Sequence, residues 1–417
     1  MTQQMDEVLM AVYYINLLLI AGLAYPLCLR KPTQAKKLVY LLITFGYMWF
    51  LAAYRVNIGF DYHTYIRIFE RFQGFQTLPE IFSTEFEPGF ALLNKLLTLF
   101  VASPVAMYGV YAAIIYIPVI WFIFRYSQDA WLSTWLYVTT TYFYSSMNFI
   151  RQNIACGIVL LGYGFLRDKK PIPYFLVVLL GATFHKTALI MIPIYFFAHI
   201  PLSRKMGIFY GSAAVTLFLF APWIIDFMID YPLNFLFSGY KNSIYVESVL
   251  SPVFLLVPFV IFGACLSLLP AWRKRDPNAD LLTNLMMFSA IIWLFITRSM
   301  ILERFSHYAY MLSMVAVPAA LRCLMSPPEA YEQLAELKER ERGDHKKGKL
   351  RSKEEQHKLR QLAQDISDHR KYYWSAVAAL ALITFLYNEF GQHVNGFHNV
   401  FPYQSVFEWL NTKPPAA

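Results

Sequence analysis

Nine polar residues share an unusual setting. Arg55, Asp61, Arg67, Glu87, Arg151, His185, Lys186, Arg298 and Arg304 all fall outside the membrane or near its outer boundary in the topology that the chain's basic clusters imply. Polar groups at membrane depth are costly, and a partner or a ligand usually accounts for them. A side chain snorkelling from a helix end explains any one of them, but not the set. Their chemistry suits a phosphate. A guanidinium gives bidentate hydrogen bonds to phosphate and cannot titrate away. Departure of a lipid pyrophosphate from a sugar develops charge that fixed cations stabilise. A carboxylate or a histidine would activate the attacking hydroxyl, and Asp61, Glu87 and His185 are the candidates.

The densest stretch is "YRVNIGFDYHTYIRIFE", Tyr54–Glu70, with two arginines, two acids and a histidine among aromatics. A membrane exit needs an aromatic or two and a charge; this mixture fits a polar substrate held against a lipid surface. Tyr54, Tyr62, Tyr65, Phe69, Phe72 and Phe75 would stack on sugar faces or form an interfacial belt. His185 sits in "GATFHKTAL", where Gly181, Ala182 and Ala188 permit close helix approach. It is either a proton carrier or a structural histidine at a helix break. Lys186 beside it favours an anion site. A base works best with a pKa near the working pH, which favours His185 over an unperturbed Asp61. Burial would raise Asp61, and Arg55 would oppose the shift. His63, His185, His307 and His393 lack metal-ligand spacing, and no HExxH, P-loop or GxGxxG occurs, so neither metal nor cofactor is expected.

These residues need elements to position them. The chain has 417 residues, 57% hydrophobic and only 15% charged, against about 25% charged in soluble domains. Apolar runs cover roughly 8–28, 38–54, 104–124, 130–147, 150–166, 171–184, 186–199, 206–224, 250–269, 281–299, 306–324 and 372–390. The expectation is an all-α, polytopic integral membrane protein with about twelve transmembrane helices. The runs at 171–184 and 186–199 are short. They form either one tilted helix or a pair meeting in a water-accessible pocket.

The net charge of +9 comes largely from clusters between the runs: "RKPTQAKK" (30–37), "RDKK" (167–170), "PLSRK" (201–205) and "WRKR" (272–275). That placement excludes nucleic acid as a partner and puts the clusters in the cytoplasm by the positive-inside rule. The parity then requires 171–184 to go out and 186–199 to return. It also requires 87–100 to be an interfacial or re-entrant helix on the outer face. Residues 1–325 become a transmembrane core with a periplasmic segment at 55–103. Residues 326–371 become a charged cytoplasmic insertion, and 372–417 a final transmembrane helix with a periplasmic tail. The insertion carries twelve basic and ten acidic residues. Its "PPEAYEQLAELKERERG" reads as an amphipathic helix, lying on the membrane or paired with a second helix at 353–366. The acidic start "MTQQMDEVLM" reads as a retained first helix, not a signal peptide. Cys28, Cys156, Cys265 and Cys323 read as buried thiols.

A resemblance adds to this reading. The stretches "YRVNIGFDYHTYIRIF" (54–69), "EPGFALLNKL" (87–96), "MNFIRQNIA" (147–155), "GATFHKTALIMIP" (181–193) and "RFSHYAY" (304–310) together resemble the EpsG family of bacterial polysaccharide membrane proteins, related to Wzy-type O-antigen polymerases. The resemblance implies a GT-C-like, metal-independent glycosyltransferase in the bacterial inner membrane. Its active site would face the periplasm and polymerise undecaprenyl-pyrophosphate-linked oligosaccharide repeats. It implies membrane lipid and a chain-length regulator as partners. Arg55, Asp61, Arg151, His185 and Arg304 match polar motif positions. The expected roles are catalytic for His185, Asp61 and Arg151, and pyrophosphate or substrate binding for Arg55, Lys186, Arg298, Arg304, Glu87 and Tyr65. Another lipid-linked sugar transferase or ligase, a flippase and a structural protein remain as alternatives.

Overall fold

In a computed structural model, the structure describes residues 3–221, 223, 227, 251–346, 353–394 and 396–405. Among these the protein is all helical, with one isolated antiparallel bridge, Arg55 to Ser405. Helix α1 (Gln3–Leu23) passes through a π-helical turn, and α2 (Gln34–Tyr54) starts at Thr33, whose side chain accepts from Lys36 N. Three short helices follow: α3 (Tyr62–Gly74), α4 (Leu78–Phe82) and α5 (Pro88–Phe100). Then come α6 (Pro104–Tyr126), α7 (Ala130–Thr139), α8 (Tyr142–Asn148), α9 (Ile150–Leu161) and α10 (Tyr163–Arg167). A hairpin of α11 (Pro171–Ala182), a 3₁₀ turn and α12 (Met191–Ala198) leads to α13 (Arg204–Leu219). The remainder is α14 (Leu256–Trp272), α15 (Ala279–Ile296), α16 (Glu303–Tyr310), α17 (Ser313–Arg322), α18 (Pro328–Lys346) and α19 (Lys353–Glu389).

Six helices among the described residues are long and apolar enough to cross a membrane: Ala11–Leu29, Gln34–Tyr54, Pro104–Tyr126, Pro252–Trp272, Ala279–Ile296 and Glu354–Gln392. The other apolar runs are short or interrupted. The run at 130–147 breaks at Thr141, whose φ of 71° is left-handed. The run at 150–166 breaks at Gly162, and part of 206–224 lies outside the described residues. The 171–199 region is a hairpin and not one tilted helix. His199, just after α12, has Nε2 2.8 Å from the Leu166 carbonyl of α10, so the chain returns to the level it left. With twelve residues, α11 is about 18 Å long, short of a hydrocarbon core of about 30 Å. Helix α5 packs on α3 and α4.

Two ends can be distinguished by chemistry. At one, the basic clusters converge. Lys37 donates to the Ser127 carbonyl at 2.7 Å, and Arg273 to the Leu202 carbonyl at 2.6 Å. Arg275 reaches the carbonyls of Arg322 and Met325 at 3.1 and 2.9 Å. Asp129 accepts from Arg322 Nε and Tyr373 OH, both at 2.8 Å. At the opposite end the C-terminal segment folds over the loop after α2. Val56 N donates to Gln404 O at 2.8 Å, Gly59 N to Asn399 O at 2.9 Å, and Tyr13 OH to Val400 O at 2.8 Å. Gly59 has φ of 90°, and a Cβ there would meet the Met147 carbonyl at 2.9 Å, so a glycine is required.

The charged insertion differs from its sequence reading in one respect. Helix α18 does pair with α19, but the second helix does not end near residue 366. It continues to Glu389 as one 37-residue helix, about 55 Å long. The expected boundary between 371 and 372 therefore falls inside a helix. No breaker separates the charged half from the apolar half.

Asp129 is 3% exposed and Arg322 41%, so Asp129→Ala leaves a half-open arginine and a buried Tyr373 hydroxyl without their acceptor. We expect a loss of about 1–3 kcal/mol, discounted for that exposure, read as a lower melting temperature of the purified protein. An unchanged melting temperature would show that the contact contributes nothing.

Candidate functional site

The site begins at the tip of the α11–α12 hairpin. The turn exposes the Thr183 carbonyl, which accepts from Gly89 N at 2.8 Å and Phe90 N at 3.2 Å. A Cβ on Gly89 would collide with the Thr183 side chain, so the glycine of "EPGF" is what lets the two backbones meet. Pro88 starts α5 in its first turn, and Glu87 is the residue before it. This seats the Glu87 carboxylate at the hairpin tip.

Three groups converge on that carboxylate. Arg151, in the first turn of α9, donates from Nη1 to Oε2 at 2.7 Å. Lys186 donates its backbone N–H to Oε1 at 3.4 Å. His185 Nδ1 lies 3.5 Å from Oε1, the outer edge of a hydrogen bond. Glu87 and His185 are 7% and 6% exposed. His185 Nε2 has no hydrogen-bond partner among the described residues. A carboxylate faces one imidazole nitrogen at 3.5 Å, and the other nitrogen, buried like the first, is left without a partner among the described residues, the order in which a carboxylate orients a general base. Sequence reasoning offered Glu87 as a substrate-binding residue or an activating carboxylate; the structure sets its Oε1 3.5 Å from His185 Nδ1.

Asp61 stands just before α3, its backbone N–H donating to Asn148 Oδ1 at 3.2 Å. The charges that reach it are those of Arg304 and Arg151. Arg55, expected to oppose its shift, is turned away. The Arg55 guanidinium is 2% exposed, donates to the carbonyls of Ala52 and Met147, and lies 4.0 Å from the Tyr108 ring centre. Arg304 lies over Phe149 at 5.5 Å and acts electrostatically on both Asp61 and His185. Tyr65 is buried beneath α9, its hydroxyl 3.4 Å from Arg151 N. Lys186 is exposed at the hairpin tip. Arg298 is exposed and stacks on Phe218 of α13 at 4.4 Å, and Arg67 contacts Thr64 at 3.1 Å. The structure thus gathers Glu87, Arg151, His185, Lys186, Asp61, Tyr65 and Arg304. Arg55 and Arg298 are engaged elsewhere.

The aromatics of the 54–75 stretch mostly point inward. Tyr62 stacks on Tyr108 at 5.0 Å, and Phe72 meets Phe75 at 5.0 Å and Phe86 at 6.2 Å. Tyr62, Tyr65, Phe69 and Phe72 are core residues, not sugar platforms. The reason is the strongly one-sided apolar face of α3, which packs against α5 and sets Tyr62 and Tyr65 on Tyr108 and Tyr111 of α6.

A second polar cluster escaped the sequence reading. Glu303 Oε1 lies 3.5 Å from His307 Nε2 and 4.0 Å from His398 Nε2, all buried. Gln152 Nε2 contacts His307 Nδ1 at 2.6 Å and donates to the Arg304 carbonyl at 3.0 Å. The Glu303–His307 pair has i, i+4 spacing on one helix face and was findable. His398 carried no such signal, because it arrives through the tertiary fold of the tail. The side chain of His393 lies outside the described residues.

Protonation follows from burial and charge in the loops and at the hairpin tip. Burial pushes Asp61 above its usual value against the opposing fields of Arg304 and Arg151. Burial would also raise Glu87, but contact with His185 and the Arg151 charge outweigh it and hold the carboxyl at about 2. Burial, with Arg151 and Arg304 nearby, pulls His185 down to about 4 despite Glu87. Near neutrality, Glu87 is therefore an anion and His185 an uncharged acceptor.

The EpsG family model matches residues 38–329, more than half of the chain and inclusive of every residue of the first cluster. No curated protein and no solved structure matches the chain.

The His185 value sets a stability signature. The unfolded chain protonates this histidine near 6.5 and the folded chain near 4. The unfolded state thus binds the proton first, and stability held above about pH 6.5 is lost as pH falls toward 4. Melting curves should show wild type losing on the order of 3 kcal/mol across that window, with His185→Gln visibly flatter. Parallel curves would mean that His185 is not held neutral by burial.

Proposed function

The chain belongs to the EpsG family, and on that premise we propose that it joins undecaprenyl-pyrophosphate-linked oligosaccharide repeat units by glycosyl transfer. The observation that carries the proposal is the buried, unpartnered Nε2 of His185, whose Nδ1 faces a Glu87 carboxylate held by Arg151. An acceptor sugar hydroxyl attacks the anomeric carbon of the donor repeat. The carbon–oxygen bond to pyrophosphate breaks, and its electron pair leaves with the lipid pyrophosphate. The hydroxyl proton passes to His185 Nε2. Arg304, Lys186 and the exposed side of Arg151 meet the charge that develops on the leaving group. An arriving pyrophosphate also raises the proton affinity of His185, turning a weak base in the empty site into a stronger one when loaded.

Arg55 serves by position in this scheme. Its contacts with Ala52, Met147 and Tyr108 fix the loop that presents Asp61. Asp61 orients Arg304 and the acceptor sugar. A second assignment has its own support, since burial raises Asp61 toward the range of a useful base. The chemistry needs no metal, because protein cations surround the leaving group.

The basic clusters lie at the end opposite this site, so the positive-inside rule directs the site to the periplasm of a bacterial inner membrane. A flippase using the same arginines would carry charge across the membrane midplane, whereas these residues gather around one hairpin tip.

Orientation can be tested by adding one cysteine at a time to a chain lacking Cys28 and Cys323, with only the buried Cys156 and Cys265 retained. In intact cells an impermeant thiol reagent should label Gln73→Cys and spare Gln361→Cys, and the reverse pattern inverts the topology. The chemistry requires purified protein and lipid-linked repeats. His185→Gln should bind substrate yet lose about 10²-fold or more in turnover, and Arg304→Lys should lose turnover strongly because the fork is gone. Activity should survive EDTA. If His185→Gln keeps most turnover while Asp61→Asn binds without reacting, Asp61 is the base.

A further inference from the structure

Helix α13 leans on α15 and stands away from α14. Tyr210 meets Phe288 of α15 at 5.8 Å, and Phe218 meets Phe295 at 6.0 Å. Toward α14 it presents Gly207, Gly211 and Ala214, which line a cavity of about 680 Å³ shared with Phe259, Phe262 and Leu266 of α14. Small residues at this spacing normally let two helices touch. Here a Cβ added at Gly207 or Gly211 would meet nothing within 4 Å among the described residues. No described helix uses the space that these glycines leave.

The cavity is polar at one end only. Its mouth is formed by Ser203, Arg204 and Arg273, at the end where the basic clusters converge. Ser203 caps α13, its side chain accepting from Met206 N at 3.2 Å. Arg273 donates to the Leu202 carbonyl at 2.6 Å and to both oxygens of Asp280, at 2.5 and 2.9 Å. Asp280 thus offsets Arg273, and the exposed Arg204 and Lys205 leave the mouth positive. The first amides of a helix add to an anion's preference for that place. Beyond the mouth the walls are apolar, and Ile208, Val215, Phe259 and Leu266 are exposed. Tyr210 stands among them at 6% exposure, its hydroxyl without a hydrogen-bond partner among the described residues.

Depth and charge together select the occupant. From Arg204 to Val215, α13 runs about 16 Å, close to half of a hydrocarbon core of about 30 Å. The cavity therefore spans one leaflet. Basic pockets between membrane helices at the positive end suit anionic headgroups. We propose that this cavity binds an anionic diacyl phospholipid, with its phosphate at the start of α13 beside Arg204 and an acyl chain along Gly207, Gly211 and Ala214. The ester carbonyls lie just below the phosphate and offer the Tyr210 hydroxyl the acceptor it lacks. A polyprenyl phosphate fits less well, because it has no ester and its chain outruns one leaflet. The lipid takes the place of a direct contact between α13 and α14. It thereby steadies the helix whose Phe218 carries Arg298 at 4.4 Å. The site lies at the end opposite His185 and does not depend on the glycosyl transfer proposed above.

The test is native mass spectrometry of the full-length protein in detergent, titrated with phosphatidylglycerol or phosphatidylcholine. Wild type should bind phosphatidylglycerol more tightly than phosphatidylcholine. Arg204→Ala should weaken phosphatidylglycerol binding about fivefold, the effect of one cation near a lipid surface. Gly211→Leu fills the groove and should weaken it further. Gly22→Leu is the control, since a Cβ on that α1 glycine also meets nothing within 4 Å among the described residues, and it should bind as wild type does. Four results overturn the inference: no tight binding by wild type, equal binding of the two lipids, undiminished binding by Arg204→Ala or Gly211→Leu, and an equal loss in Gly22→Leu. Displacement of phosphatidylglycerol by an equimolar polyprenyl phosphate overturns the choice of lipid. Should Gly211→Leu fail to fold, the exposed change Arg204→Ala decides.

Discussion

The ion pair between Arg151 and Glu87 organises the rest of the polar end. It joins residues 64 positions apart at 2.7 Å, with side-chain exposures of 23% and 7%. Taking a carboxylate that far out of water is costly, and the cost is offset only when every oxygen has a partner. Glu87 meets that demand with Arg151 on one oxygen and His185 and the Lys186 amide on the other. Removing one partner of such a pair typically costs about 3–5 kcal/mol. The residual exposure of Arg151 matters as well, because a fully enclosed guanidinium would have nothing left for a ligand.

The surrounding helices are built to tolerate this polarity. Non-helical backbone at membrane depth survives only when its carbonyls and amides find protein partners. The hairpin tip finds them in α5, where two amides converge on the Thr183 carbonyl. The loop after α2 finds them in the tail, through Gln404 and Asn399. Each break in a helix is thus closed by a distant segment. Short helices and functional side chains occur together because the same breaks that shorten the helices admit polar groups.

Much of this was legible in the sequence. Low charge and recurrent apolar runs gave an all-helical membrane protein, and the basic clusters do converge at one end. The two short runs at 171–184 and 186–199 form a pair with His185 at the tip. The quoted motifs led to the EpsG family, whose model covers 38–329. What the sequence hid was direction. A charged residue beside an apolar run reads alike whether it faces a ligand or the interior. Arg55 faces inward because Tyr108 offers its ring and Met147 its carbonyl, and neither is near it in sequence. Glu303 was passed over beside the more conspicuous Arg304. The stretches read separately at 353–366 and 372–390 are one helix, α19, because a change from charged to apolar composition does not interrupt a helix that lacks a breaker.

Arg151 and Gln152 are consecutive residues on one rigid helix, so their side chains leave the axis about 100° apart. One looks toward the hairpin and the other toward α16. Any rotation of α9 about its axis turns both at once, like two teeth on a single gear. A one-residue insertion between Phe149 and Arg151 would advance the helix by that angle and pull charge and amide together out of their seats. Evolution can therefore retune the identity of either tooth, but not the phase between them.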